Sequence, residues 1–287
     1  MLLALLIACN GDSTESTCPG WGEPEAVGEV ANSDLDEISG LAASRTYTSV
    51  LWAHNDQGDS ARVFALNTTG LDRGEFTISG VVAEDWEDMA IGPGPSAGDW
   101  LYVGDIGDND LSRDQIAVVR FPEPNPGSGG GPVSDAERIH LSYPDRPRNA
   151  ETLLVDPDSG DLYVLTRADS GPTEVFQVAS DDLVDGAVLE RVATLALGSD
   201  EFAGSSVLRG GSVSPDGRRV WLRTDDSVFL LARAADESLH EALTGTSCVV
   251  PAPVDLNGEA IAADSEGYFA AAEGEAATIW RELPESD

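Results

Sequence analysis

The sequence predicts an all-β fold: a β-propeller of five four-stranded blades whose N-terminal strand closes the ring. Three observations predict it. A strand, turn, strand, strand plan recurs five times, with equivalent openings 50, 64, 58 and 50 residues apart. The turns inside the units carry the residues that tight hairpins need. The last unit reaches the C-terminus one strand short, while residues 26–30 form a strand candidate with no partner of their own. Units of this size bury one face against the next, and a closed ring removes most free sheet edges.

The first strands are short and built from small or aliphatic residues. They begin at Glu37-Ile38-Ser39-Gly40-Leu41, Glu87-Asp88-Met89-Ala90-Ile91, Glu151-Thr152-Leu153-Leu154-Val155, Arg209-Gly210-Gly211-Ser212-Val213 and Glu259-Ala260-Ile261-Ala262-Ala263. Four of the five open on glutamate. Second strands start on Leu51-Trp52, Leu101-Tyr102, Leu162-Tyr163, Val220-Trp221 and Tyr268-Phe269. Between them, Asp156-Pro157-Asp158-Ser159-Gly160 and Ser214-Pro215-Asp216-Gly217 put proline where φ must be near −65° and glycine where φ turns positive. Third strands are expected at 62–66, 116–120, 175–178, 228–231 and 278–281, and fourth strands at 76–81, 138–143, 189–197 and 248–250. Residues 122–132, rich in proline and glycine, read as a flexible loop absorbing the longest interval. Six blades would require an undetected sixth unit, and an open solenoid would leave the terminal strands unpaired.

Ahead of this ring, 23–287, lie two further segments. Residues 1–8 are almost wholly apolar, too short to span a bilayer but placed like the hydrophobic part of a secretion signal. They run into Leu6-Ile7-Ala8-Cys9, which resembles the bacterial lipobox. That resemblance implies a thiol acylated at Cys9 and a lipoprotein held on the bilayer at the bacterial cell envelope, outside the cytoplasm. Residues 9–22 then read as a flexible, lipid-anchored tether. Cys18 and Cys248 remain as an even pair in an oxidising compartment, and a bridge between them is expected to contribute about 5 kcal/mol in the chain-entropy model.

Composition excludes a class of partners. Fifty-two Asp and Glu face sixteen arginines and no lysine, a formal charge of −36. Such a chain repels polyphosphates, so nucleic acid is ruled out. A monomer is expected, because like charge opposes self-association.

The segments Glu37-Ile38-Ser39-Gly40-Leu41, Trp52-Ala53-His54-Asn55-Asp56, Asp85-Trp86-Glu87-Asp88-Met89-Ala90, Tyr102-Val103-Gly104-Asp105-Ile106-Gly107-Asp108-Asn109 and Ala150-Glu151-Thr152-Leu153 resemble a family of secreted bacterial β-propeller proteins of unassigned activity. More distantly, the glutamate-bearing openings resemble esterase-like phytases and gluconolactonase-type propellers. That likeness implies a metal-dependent hydrolase acting on a lactone or phosphoester.

First strands of propeller blades line the central channel, so Glu37, Glu87, Glu151 and Glu259 are expected to converge there, with Arg209 at the same place in the fourth blade. Four like charges together are unfavourable. Either a bound cation relieves them, or backbone N–H groups of neighbouring blades do. The loops after the second strands add Asp56, Asp105 and Asp108 as further oxygen donors, and His54, Asn55 and Asn109 as ligand-binding candidates. Hard oxygen donors suit Ca²⁺, whereas zinc prefers His and Cys, and the three histidines are widely spaced. No EF-hand register, nucleophile elbow, phosphate-cradling loop or dinucleotide fingerprint occurs. The sequence therefore predicts a propeller that binds a protein, glycan or small molecule at the channel mouth, with calcium, and leaves hydrolysis as the alternative. Trp52, Trp86 and Trp221 are expected to pack between blades.

Overall fold

The computed structural model describes Cys18 and residues 20–168, 172–195, 197, 205, 207–253 and 258–285. The secretion segment 1–8, Cys9 and most of the tether lie outside them. No helix among the described residues is long and apolar enough to cross a membrane.

The chain forms five antiparallel blades in a ring. After β1 (Glu25–Glu29), blade 1 comprises β2 (Ile38–Ala43), β3 (Val50–Asn55), β4 (Arg62–Asn67) and β5 (Asp72–Ile78). Blade 2 comprises β6 (Trp86–Pro93), β7 (Asp99–Asp105) and β8 (Ile116–Pro122); the chain then makes a detour through β9 (Gly130–Val133) and returns as β10 (Glu137–Ser142). Blade 3 is β11 (Ala150–Val155), β12 (Leu162–Thr166) and β13 (Thr173–Val178), then β14 (Ala187–Val188) and β15 (Glu190–Leu195). Blade 4 is β16 (Leu208–Val213), β17 (Arg219–Thr224) and β18 (Val228–Ala232), followed by α1 (Leu239–Leu243) and β19 (Ser247–Val250). Blade 5 is β20 (Gly258–Ala263), β21 (Tyr268–Ala272) and β22 (Thr278–Glu282).

β1 pairs with β22 as the missing fourth strand of blade 5. This is the closure expected from the unpaired N-terminal strand. Cys18 forms the disulfide with Cys248, joining the segment before β1 to the outer strand of blade 4 across a separation of 230 residues. Constraining so long a loop in the unfolded chain stabilises the ring by about 5 kcal/mol in the chain-entropy model.

The core is not one mass but five, each filling the space between consecutive blades. Leu41 and Phe64 of blade 1 pack with Ala260, Phe269 and Ile279 of blade 5, so the ring has no open seam. Trp52 and Trp86 share the seam between blades 1 and 2. Trp221 sits between blades 4 and 5 with Cys18, Ile261 and Tyr268. All three tryptophans are fully buried, as expected of aromatics in a chain that has few.

Two expectations change. The loop at 122–132 is not simply flexible: Asn125 caps a short 3-10 turn, Pro126–Ser128, and β9 then adds parallel to β5 of the preceding blade. β14 likewise adds parallel to β10. These strands cover the outer edges of blades 1 and 2, where unpaired N–H and C=O groups would otherwise invite another chain. The second change concerns the channel.

Candidate functional site

Each first strand carries a β-bulge near its start, and the bulged residues are Ser39, Glu87, Glu151, Arg209 and Glu259. A bulge leaves one residue outside the ladder and re-aims its side chain. Glu87, Glu151, Arg209 and Glu259 thus hold equivalent places, as the sequence indicated. Blade 1 is displaced by two residues from that reading. Its bulge holds Ser39, while Glu37 precedes the strand and is exposed. The Ser39 hydroxyl donates to the Glu87 carbonyl of the next blade, 2.5 Å away.

The channel has two unlike sides. On one, Arg209 lies 3.4 Å from both Glu151 and Glu259 and 2.7 Å from Asp225, and Arg167 reaches Glu151 at 2.8 Å. Burial still raises the Glu259 carboxyl to about 8, with Arg209 opposing and Glu151 adding to the rise.

On the other side stand Asp56, Asp85 and Glu87. Each offers an oxygen, and these oxygens lie within 4.8 Å of one another. Among the described residues no arginine forms an ion pair with any of the three, and no group hydrogen-bonds their carboxylates. Glu87 is only 5% exposed, and Asp56 Oδ1 is buried with no partner. Burial, then the charges of Glu151, Asp56, Asp85 and Glu259, push the Glu87 carboxyl far above the usual range. Burial first, and Asp56 next, lift Asp85 to about 6. A Cβ at Gly107 would fall 2.1 Å from Glu87 Oε1 and 2.4 Å from Asp85 Oδ2, so only glycine lets the loop pass this close.

The neighbouring acidic residues build this cluster rather than belong to it. Asp105, fully buried, accepts from the N–H groups of Glu84 and Asp85 and from the guanidinium groups of Arg113 and Arg138. With four donors on its two oxygens it fixes the segment that carries Asp85. Asp108 accepts from the N–H groups of Ser112 and Arg113 and shapes the loop after β7. Both were candidate ligands from sequence, and their oxygens are engaged elsewhere. Asn55 is occupied similarly, bonding Glu37 N, the Asp34 carbonyl and Asp59. Asn109 sits at the surface and accepts from Asn149.

His54 is wholly buried, edge-on to Trp86, with Nδ1 2.9 Å from the Asn55 carbonyl. Burial lowers its pKa, and no solvent path reaches it for proton transfer to a ligand.

The carboxylate that ties blades together is the one beside Glu87. Asp88 accepts from its own blade at Met89 N, from blade 3 at Leu153 N (2.9 Å) and from blade 4 at Gly211 N (3.2 Å). Backbone relief of buried charge, weighed for the opening glutamates, is realised at this adjacent position. Asp85 is the member of the cluster that glutamate spacing did not single out. Its signal was the run Asp85-Trp86-Glu87-Asp88, in which residues two apart share a face.

An open groove of about 280 Å³ adjoins the cluster, lined by Gln57, Asp85, Asp108, Asn109, Ser112 and Arg113 among others. Ligands at the cluster would be reached from this mouth.

No protein-family model and no curated protein sequence matches the chain. Solved structures do. The PQQ-bound aldose sugar dehydrogenase from Streptomyces coelicolor aligns at 12% identity and TM-score 0.52, over 95% of this chain and 100% of that one. The soluble aldose sugar dehydrogenase from Escherichia coli, in its apo-form, aligns at 11% and 0.50, over 92% and 99%. The gluconolactonase XC5397 from Xanthomonas campestris aligns at 13% and 0.47, over 94% and 96%. At these identities the likeness establishes the propeller fold and leaves the chemistry to this chain's own residues.

Proposed function

We propose that the protein is an extracytoplasmic propeller that holds a divalent cation, calcium by its chemistry, on Asp56, Asp85 and Glu87, and uses it to bind an oxygen-rich ligand at the channel mouth. One observation carries this reading: three carboxylates converge in a partly buried site where no described residue makes an ion pair or hydrogen bond with them, and the charge of Arg113 opposes the crowding at Asp85 without reversing it. An ionised carboxylate removed from water needs a charge partner or several donors. All three donors are hard oxygens, and Ca²⁺ accepts six to eight of these in loose geometry. Three protein carboxylates would leave further positions for water or ligand on the groove side.

That open side also supports a second reading, hydrolysis of a lactone or phosphoester, since a cation with exchangeable positions polarises a bound carbonyl or phosphoryl oxygen. His54, wholly buried, does not reach a ligand at the mouth for proton transfer.

The lipobox-like Leu6-Ile7-Ala8-Cys9 supports anchoring through an acylated Cys9 to the bilayer, and the disulfide Cys18–Cys248 supports an oxidising compartment. The test is calorimetric titration of chelator-treated protein with calcium and magnesium. Calcium binding at one site, lost in Asp85→Asn and Glu87→Gln, is expected. Equal binding by both variants would refute the assignment. Turnover of model lactones or phosphoesters by the calcium-loaded wild type alone would select the hydrolytic reading.

A further inference from the structure

The same mouth holds a second, oppositely charged recess. In a chain carrying 36 excess negative charges, a recess of about 360 Å³ between blades 2 and 3 is lined by three arginines, Arg146, Arg148 and Arg167, against one carboxylate, Glu174. Asn109 lines both this recess and the groove beside the acidic cluster, so the two adjoin.

The three guanidinium groups are not equally engaged. Arg148 is 4% exposed and places all its donors: both oxygens of Asp145, both of Glu174, and the Arg146 carbonyl. It also stacks on Tyr143 and Phe176. Arg167 is turned toward Glu151 in the channel. Arg146 differs. Its side chain is 58% exposed, and its contact with Glu174, at 3.3 Å, is longer than those that Arg148 and Arg191 make to the same carboxylate. Glu174, shared among three arginines, has little left for it. The guanidinium of Arg146 thus faces the recess with most of its fork unspent.

Leu111 completes the wall. It sits on the loop between the two recesses with φ of +51°, a left-handed backbone that a branched, bulky residue adopts only under strain. Asp108, bonded to the N–H groups of Ser112 and Arg113, pins that turn.

We infer that this recess is an anion subsite, taking the carboxylate or phosphate group of a small ligand on Arg146, with Arg167 and Asn109 beside it. A planar guanidinium with two free N–H groups fits either anion bidentately. The overall negative charge does not forbid this, because charges more than about 8 Å away are largely screened at physiological ionic strength. The subsite stands on its own geometry, independent of a cation at Asp56, Asp85 and Glu87. If both are filled, the ligand of this propeller is an anion lying across Asn109.

The experiment titrates inorganic phosphate, and separately acetate, into the purified protein in chelator, followed by amide NMR shifts. The expected result is saturable perturbation around Asn109, Asn149 and Thr166, weakened about tenfold or more in Arg146→Ala and less in Arg146→Lys. Whichever probe binds more tightly identifies the anionic group. Absence of saturable shifts with either probe, or wild-type affinity in Arg146→Ala, would overturn the inference. Calcium-dependent melting of Arg146→Ala is expected to match that of wild type, so failure of the cation reading and failure of this one are told apart.

Discussion

The two sides of the channel start from the same repeated position and end in opposite electrostatic states. Where blade 4 supplies Arg209, the glutamates of blades 3 and 5 are paired, and the bulge position serves as an internal salt bridge. Where blade 1 supplies Ser39 and blade 2 supplies Glu87, with Asp56 and Asp85 added from flanking loops, acidic groups crowd together with no ion pair among the described residues. A propeller offers every blade the same address on its axis. What occupies it, and what leans over it from the adjoining loops, separates a structural tie from a site.

The comparison breaks most sharply at Asp88, which belongs to neither side yet spans blades 2, 3 and 4. Asp88→Ala leaves three N–H groups without their acceptor, two of them in other blades. Loss of about 4 kcal/mol in urea unfolding is expected, with little change in calcium affinity if the variant folds.

Acidity is the next lever. Asp85 rises from 3.8 to about 6 and Glu259 from 4.5 to about 8, both chiefly through burial. The folded state thus holds protons that the unfolded chain releases. In the chelated protein their stabilisation is whole below pH 4 and is lost as pH climbs toward 8. Melting temperatures of chelated protein should fall across that window, and calcium should flatten the fall.

Arg209→Ala tests whether the paired side can be converted into an unpaired one. Removing the guanidinium leaves Glu151 with Arg167 alone and Glu259 without an ion pair. About 2 kcal/mol of stability should go, and the calcium response of the melting temperature should grow. A smaller effect is expected from Glu87→Gln, because burial and its acidic neighbours keep that carboxyl protonated in the chelated protein. Without cation its stability at pH 8 should match that of wild type, and it should respond less to calcium.

Blade number, ring closure and the disulfide were all legible in the sequence, because turn chemistry and strand periodicity are local and the unpaired terminal strand had one place to go. The site was legible in part. Glu87, Glu151, Arg209 and Glu259 were found by their spacing. Glu37 was matched to them because it is the glutamate nearest the blade 1 opening, whereas the bulge there holds a serine, invisible to a search for carboxylates. Asp105 and Asp108 have the composition of ligands, but Arg113, Arg138 and backbone donors reach them only in three dimensions. β9 was hidden for another reason: a strand beginning Gly130-Gly131-Pro132 has little intrinsic β preference and forms by adding to an edge already present.

Thermal denaturation of the mature protein at pH 8, in saturating calcium and in chelator, tests the central claim directly. A cation on Asp56, Asp85 and Glu87 should raise the melting temperature by about 5–10 °C at a hundredfold excess over Kd, and the rise should vanish in the double variant Asp85→Asn, Glu87→Gln. Identical melting curves for the wild type with and without calcium would contradict it.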